Sequence, residues 1–124
     1  MSGAGWTGFI VTCALGASTR YLLDAWVQAK TGGIYPWGTW LVNITGCFLL
    51  GALTGLVLHH GFDQATANLI GTGFLGSYTT FSTVALQAVL LAEKSEASTA
   101  AGYVAASLLA GCAAAGAGLA LTWP

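Results

Sequence analysis

The chain has 124 residues, and its length, composition and charge already exclude several classes of protein. Apolar residues make up 56% of the chain and charged residues only 6%, whereas an average soluble domain has about 25% charged residues. The net charge of −1, with three basic residues, argues against nucleic-acid binding, which needs clustered Lys and Arg. We therefore expect one domain, residues 1–124, that lies in a lipid bilayer.

Four segments reach the length of roughly 20 apolar residues that spans a bilayer core. They cover residues 6–27, 37–58, 65–92 and 97–123. The connections between them are short, so successive helices should run antiparallel and both termini should lie on one side. The sequence predicts an all-α membrane protein with four transmembrane helices.

The first segment carries Arg20 and Asp24, which are four residues apart and therefore share one helical face. A charge inside the membrane is costly and indicates function. Arg20, however, lies past the middle of the segment, where a long side chain can reach the interface, so both interpretations stay open. Lys30 and Lys94 belong to two loops on one side, and the positive-inside rule then places both termini outside.

One strongly polar residue, Asn43, lies deep in the second segment. An unpaired amide in hydrocarbon costs several kcal/mol. Asn43 must therefore bond to another helix or face a hydrated path, and the sequence does not decide between the two.

The third segment contains the stretch GTGFLGSYTTFSTV, residues 71–84, in which three glycines precede a cluster of hydroxyl side chains. Glycine costs about 1 kcal/mol relative to alanine in a helix interior. Non-helical backbone is tolerated at membrane depth only where it is buried in protein or lines a polar cavity. The stretch predicts a helix broken at its centre; the alternative is a kinked helix whose hydroxyls bond back to i−4 carbonyls.

The fourth segment is rich in Ala, Gly and Leu, and its polar side chains include Tyr103 and Ser107. Because these two residues are one turn apart, both hydroxyls lie on one face. They are either the start of a polar track or hydrogen-bonding groups between helices.

Three motifs occur together in this chain. They are G-x-x-x-R-Y at residues 16–21, G-T-x-x-V-N-x-x-G at residues 38–46, and G-x-x-T-T-F-S-T at residues 76–83. By their order, their spacing and the length of the chain, the sequence resembles the Fluc/CrcB family of fluoride channels.

The resemblance implies a channel and not an enzyme. It implies two antiparallel copies of the chain, in dual topology, that form a dimer with two narrow fluoride pores in the inner (plasma) membrane. It also implies a structural sodium ion on the two-fold axis, bound by backbone carbonyls at the break in the third helix. By motif position these carbonyls belong to Gly76 and Thr79.

The resemblance further implies which side chains line the pore. Amide and hydroxyl donors can replace the water around a small anion, and the positive edge of an aromatic ring can face it. The matching residues are Asn43, Phe81, Ser82, Thr83, Tyr103 and Ser107, with Arg20 near an aqueous vestibule.

Two positions depart from the family pattern. Val84 stands where the family usually has a second phenylalanine, and Gln87 stands where a carboxylate is often found. The missing ring, together with the charge bias toward one set of loops, motivates a narrower hypothesis, in which this chain is one subunit of a heterodimer with an oppositely oriented homologue. Two other classes stay open, namely a proton-coupled drug or cation exporter that uses Asp24 as its membrane carboxylate and a non-transporting scaffold subunit.

Overall fold

The computed structural model describes residues 2–124, and these fold entirely into helices and short connections, without a β-strand. Two long helices come first, and a third pass follows that is divided into several pieces. The elements are α1 (Gly3–Thr31), α2 (Trp37–His60), α3 (Gln64–Asn68), a π-helical segment (Leu69–Leu75), α4 (Gly76–Tyr78), α5 (Ser82–Glu93) and α6 (Ala97–Leu121).

Three of the four passes have both the length and the apolarity of a membrane span: Trp37–His60, Gln64–Glu93 and Ala97–Leu121. The first pass, α1, contains Arg20, Asp24 and Lys30 and is not among these three. It has 29 residues and, at about 1.5 Å per residue, is long enough to cross a bilayer. Four long helical passes therefore fit the predicted fold class, and the apolar helices confirm a multi-pass membrane protein.

Close contacts at glycines establish the directions of the helices. On α2 and α6, Gly51 meets the backbone of Ala115, and Gly55 meets Thr122 one turn later. Residue numbers rise together along this contact, so α2 and α6 run parallel. Small residues allow such close approach of membrane helices.

The first and third passes show the same relationship. Gly8 lies beside Leu69, and Gly73 lies beside Thr12. These passes therefore also run parallel to each other, and the alternation of directions predicted from the short connections is confirmed.

Two clusters of buried side chains form the core. Val42 of α2 packs with Leu75 and Tyr78 of the third pass. The second cluster joins α5 to α6 and contains Val84, Leu91, Ala100 and Tyr103. Many large apolar residues, such as Leu22, Leu86 and Leu109, are instead exposed on the outside of the bundle, as expected for a surface that contacts lipid.

The short connection before α3 is closed by a helix cap. The Asp63 carboxylate accepts hydrogen bonds from the Thr66 backbone N–H (2.9 Å) and from the Thr66 hydroxyl (2.8 Å). These bonds favour the charged form, so the Thr66 backbone N–H and then its hydroxyl lower the pKa of Asp63 below its ordinary value. Asp63 therefore fixes the start of the third pass.

We expect Gly118→Ala to destabilise the bundle by about 1–3 kcal/mol, because the new Cβ would overlap the Phe48 carbonyl. Gly116→Ala is the matched control on the same helix, since a Cβ there meets nothing within 4 Å. Thermal unfolding in detergent micelles measures both variants. Equal melting temperatures for the two variants would contradict the close packing of α2 on α6.

Asp63→Ala should lower the melting temperature at neutral pH, because it removes the cap of α3. The pKa of Asp63 is lowered in the folded chain, so its contribution is present above the ordinary pKa of aspartate, about 3.9. It is lost as the pH falls through the lowered value. The difference from the wild-type protein should therefore shrink below about pH 4, whereas a difference caused by Gln64→Ala should not change with pH.

Candidate functional site

The third pass is interrupted at residues 79–81, where no helix is formed. α4 ends at Tyr78, Thr79 is extended with φ −80° and ψ 155°, and α5 begins at Ser82. The predicted break at the centre of this pass is therefore confirmed. The π-helical segment that precedes the break was not predicted.

Asn43 of α2 holds the break in place through two hydrogen bonds to one residue. The Thr80 backbone N–H donates to Asn43 Oδ1 at 2.8 Å, and Asn43 Nδ2 donates to the Thr80 carbonyl at 2.9 Å. Of the two interpretations of Asn43, bonding between helices is therefore observed. A side-chain amide carries two N–H donors, so one N–H of Asn43 is not used by Thr80.

The same arrangement diverts two N–H groups from the backbone carbonyls that they would bond in a continuous helix. In a continuous helix the Thr80 N–H would donate to Gly76 and the Thr83 N–H to Thr79. The first donates to Asn43 instead, and the second donates to Thr80 Oγ1 at 3.2 Å. The carbonyls of Gly76 and Thr79 are the two that the resemblance assigns to sodium, and hard cations prefer such oxygen ligands.

The hydroxyl cluster divides into two groups. Ser77 Oγ donates to the Gly73 carbonyl at 2.8 Å, and Thr79 Oγ1 donates to the Leu75 carbonyl at 3.0 Å, in the i−4 pattern of the alternative interpretation. Thr80 behaves differently, because it lies within the break and its hydroxyl bonds forward to the hydroxyls of Thr83 (3.0 Å) and Ser82 (3.3 Å). Back-bonding and a broken helix therefore occur in the same stretch.

All three sequence motifs meet at this break. Gly16 of the first motif abuts the Phe74 carbonyl and Ser77, so closely that a Cβ would overlap them. Gly46 of the second motif abuts the methyl group of Thr79. The motifs are distant in sequence, but their glycines let α1 and α2 approach the broken pass from two sides.

A groove of about 280 Å³ opens beside the break, between α2, the third pass and α6. Five of the predicted residues line it: Asn43, Gly76, Thr79, Phe81 and Ser107. Phe81 is 74% exposed. The hydroxyl of Ser107 is buried and has no hydrogen-bond partner among residues 2–124. The groove, called the central groove below, therefore combines free donors with an exposed aromatic ring.

Tyr103 does not line the central groove. Its side chain is fully buried beside Val84 and Leu91, and its hydroxyl donates to Gln87 Oε1 at 2.8 Å. Sequence reasoning placed Tyr103 on one face with Ser107 but missed Gln87 as its partner. An i, i+4 spacing places side chains on a face and does not reveal what packs against that face.

Arg20 and Asp24 are both half-buried, but neither lines the central groove. The contact of Gly16 with Ser77 runs in parallel register, so Arg20, one turn later, lies at the level of the break. The Asp24 carboxylate meets Gly38 in the first turn of α2. A carboxylate is favourable there because a helix N-terminus carries partial positive charge.

Among residues 2–124, no group of three or more His, Cys, Asp or Glu side chains is arranged to hold a metal ion. The two histidines at the end of α2 have structural neighbours: His59 packs on Trp123, and His60 Nε2 bonds to the Thr122 carbonyl at 2.8 Å.

Residues 7–119 match the family described as "CrcB-like protein, Camphor Resistance (CrcB)". The chain belongs to this family. It is 42% identical over 99 residues to "Fluoride-specific ion channel FluC" of Acidobacterium capsulatum, with 79% of each chain covered. It is 42% identical over 120 residues to "Fluoride-specific ion channel FluC 1" of Symbiobacterium thermophilum, with 95% of this chain and 97% of the relative covered. The identity to "Fluoride-specific ion channel FluC" of Rhizobium meliloti is 40% over 109 residues, 87% of each chain.

Membership in the CrcB family confirms the resemblance drawn from the three motifs. The relatives are named as ion channels, so the prediction that the chain is not an enzyme is also confirmed. The matched region covers most of α1 and α6, all of α2 and the third pass, and the break between α4 and α5.

We expect Asn43→Asp to destabilise the fold by about 2–4 kcal/mol. One carboxylate oxygen could still accept from the Thr80 N–H, but the other would face the Thr80 carbonyl without a proton to donate. Asn68→Asp is a matched control, because Asn68 is exposed and acts as an acceptor for Gln64. Thermal unfolding in micelles should separate the two variants, and an unchanged melting temperature for Asn43→Asp would refute the two-way bond.

Proposed function

We propose that this chain forms a fluoride-selective ion channel that lets cytoplasmic fluoride leave the cell down its gradient. Its membership in the CrcB family supports this function, as do relatives named as fluoride-specific channels that cover most of the chain. The observation that carries the proposal is the Asn43–Thr80 pair, because it opens the third pass in the middle of the membrane span.

Fluoride is small and strongly hydrated, so a pore for it must supply hydrogen-bond donors in place of water. The central groove offers an N–H of Asn43 that Thr80 does not use and the unpartnered hydroxyl of Ser107. Phe81 adds a ring whose positive edge can face an anion. Ser82 and Thr83 extend this surface through their bonds to the Thr80 hydroxyl.

A second copy of the chain, in the opposite orientation, completes the pore in this proposal. The central groove is open on one side, and Phe81 projects from it with 74% of its surface exposed. Polar backbone that faces lipid is costly, so the carbonyls freed at residues 76 and 79 favour coverage by protein. Two antiparallel copies in the inner (plasma) membrane would bring two such breaks together.

Sodium has a structural role in this proposal and is not transported. The Gly76 and Thr79 carbonyls lack their helical donors, and a two-fold axis through the break would bring four such oxygens around one ion. A bound cation would stabilise two breaks whose carbonyls otherwise repel each other.

Val84 supports the narrower hypothesis of a heterodimer. Its side chain is 5% exposed and packs in the cluster of Tyr103, Leu91 and Ala100. It therefore fills the core and offers no aromatic edge to a permeating anion. A homologous partner with a phenylalanine at this position would supply the missing ring.

Purified protein in liposomes should release fluoride, but not chloride, when a fluoride electrode records efflux after a potassium ionophore is added. Asn43→Asp should reduce the flux to background, because a carboxylate repels the anion. Phe81→Leu should lower it about threefold to tenfold, since an aromatic contact is worth about 0.5–1.5 kcal/mol. Phe62→Leu, in the loop after α2, is the control and should conduct like the wild-type protein. Removal of sodium should abolish the flux.

The same liposomes separate a homodimer from a heterodimer. Fluoride-selective flux from this chain alone would establish a self-sufficient channel and contradict the heterodimer. A silent, well-folded chain that becomes active when it is co-reconstituted with a homologous subunit would support the heterodimer. Flux that is equal for fluoride and chloride, or unchanged by Asn43→Asp, would count against the pore itself.

A further inference from the structure

A second cleft, of about 230 Å³, opens at the end of the bundle where the α1–α2 loop approaches the end of α5. Its lining residues are Gln28, Ile34, Pro36, Gln87, Leu90, Leu91 and Lys94. None of these lines the central groove. The cleft, called the loop-end cleft below, is therefore a separate cavity.

Gln87 connects the loop-end cleft to the candidate pore residues. Its Oε1 accepts the hydroxyl of Tyr103, which directs the amide Nε2, with two N–H donors, away from Tyr103. Tyr103 packs against Val84, and Val84 itself lines the central groove. The two cavities are thus connected by neighbouring side chains that contact one another in the order Gln87, Tyr103, Val84.

The opposite wall of the cleft is fixed by Gln28, whose amide has no unused donor. Gln28 Nε2 donates to the carbonyls of Tyr35 (3.1 Å) and Gly33 (3.3 Å), and its Oε1 accepts the Gly38 N–H (3.3 Å). Both polar ends of Gln28 are therefore used to hold the loop. The amide of Gln87 differs from that of Gln28, because its two N–H groups remain available to a ligand.

Lys94 is the charged residue of the lining, and among residues 2–124 no carboxylate lines the cleft with it. Glu93 and Glu96 flank Lys94 in sequence but are not part of the lining, and Glu96 accepts the hydroxyl of Thr99. Asp24 lies against the start of α2 at Gly38. The wall of the cleft therefore combines a positive charge with amide donors.

We infer that the loop-end cleft is a loading site for fluoride. This inference rests on the proposed channel function. Lys94 attracts the hydrated anion from water, and the N–H groups of Gln87 replace part of its hydration shell before it passes Tyr103 toward the central groove. A single charge at the mouth of a narrow, low-dielectric opening raises the local anion concentration, and salt screens this effect.

The chain contains a matched control for Lys94. Lys30 lies at the same end of the bundle, but its ammonium group sits over the ring of Trp26, 5.9 Å from the ring centroid, and it does not line the cleft. Lys94→Gln and Lys30→Gln therefore remove the same charge from the same end of the molecule. Both lysines are exposed, so neither change disturbs the core.

The test measures initial fluoride efflux from liposomes at subsaturating fluoride. At an ionic strength of about 10 mM, where the Debye length is about 30 Å, Lys94→Gln should lower the rate about threefold. Lys94→Glu should lower it about tenfold, Lys94→Arg should lower it less than Lys94→Gln because it keeps the charge, and Lys30→Gln should leave it unchanged. At about 1 M salt, where the Debye length is about 3 Å, the rates should converge.

A phosphate group of an anionic lipid could also bind Lys94, so the measurement is repeated in vesicles of phosphatidylcholine alone and in vesicles with phosphatidylglycerol. A Lys94 effect that persists in phosphatidylcholine supports an inorganic anion, whereas its loss there overturns the inference in favour of a lipid. If the wild-type protein conducts and Lys94→Gln and Lys30→Gln change the rate equally, the loading site is overturned and the proposed channel function stands. A wild-type protein that conducts neither alone nor together with a homologous subunit overturns the proposed function and this inference with it.

Discussion

The pair of hydrogen bonds between Asn43 and Thr80 is the constraint on which the arrangement around the break depends. A break in a membrane helix leaves backbone donors and acceptors without partners, at a cost of several kcal/mol each in hydrocarbon. One amide side chain can satisfy one donor and one acceptor of the same peptide at once. Asn43 does so for Thr80, and the Thr80 hydroxyl then caps the start of α5 at Thr83. The break is therefore stabilised by specific hydrogen bonds and is not a frayed helix end.

Close packing makes this geometry possible. Gly16 and Gly46 bring α1 and α2 against the third pass where a Cβ would overlap the neighbouring atoms. Gly118 does the same for α6 against α2. In lipid no hydrophobic effect drives helices together, so van der Waals contact across such small residues has to position them. The buried Tyr78 adds a bond from its hydroxyl to Thr45 of α2 at 2.9 Å, which fixes the pass just before the break.

The sequence was sufficient to predict the helical passes, their alternating directions and the break. The length of the apolar segments predicts the passes, and the short connections between them predict their directions. Three glycines followed by hydroxyl side chains at membrane depth predict the break. The π-helical segment Leu69–Leu75 could not be predicted, because a wider helical turn depends on how α1 packs against it and not on local composition. The hydrogen-bond partner of the Tyr103 hydroxyl could not be predicted either, because its acceptor Gln87 lies 16 residues away on another helix. Asn43 could be recognised as a residue that needs a partner, but only the fold brings Thr80 to it.

The break also has an electrostatic consequence. α4 ends and α5 begins within a few residues of each other, so the carboxyl end of one half-helix faces the amino end of the next. The first carries partial negative charge on its carbonyls, and the second carries partial positive charge on its N–H groups. One short stretch of backbone therefore presents a surface that favours cations next to a surface that favours anions, without any formal charge. A chain that is poor in Lys, Arg, Asp and Glu can in this way have polar character at the centre of a membrane without burying an ion of its own.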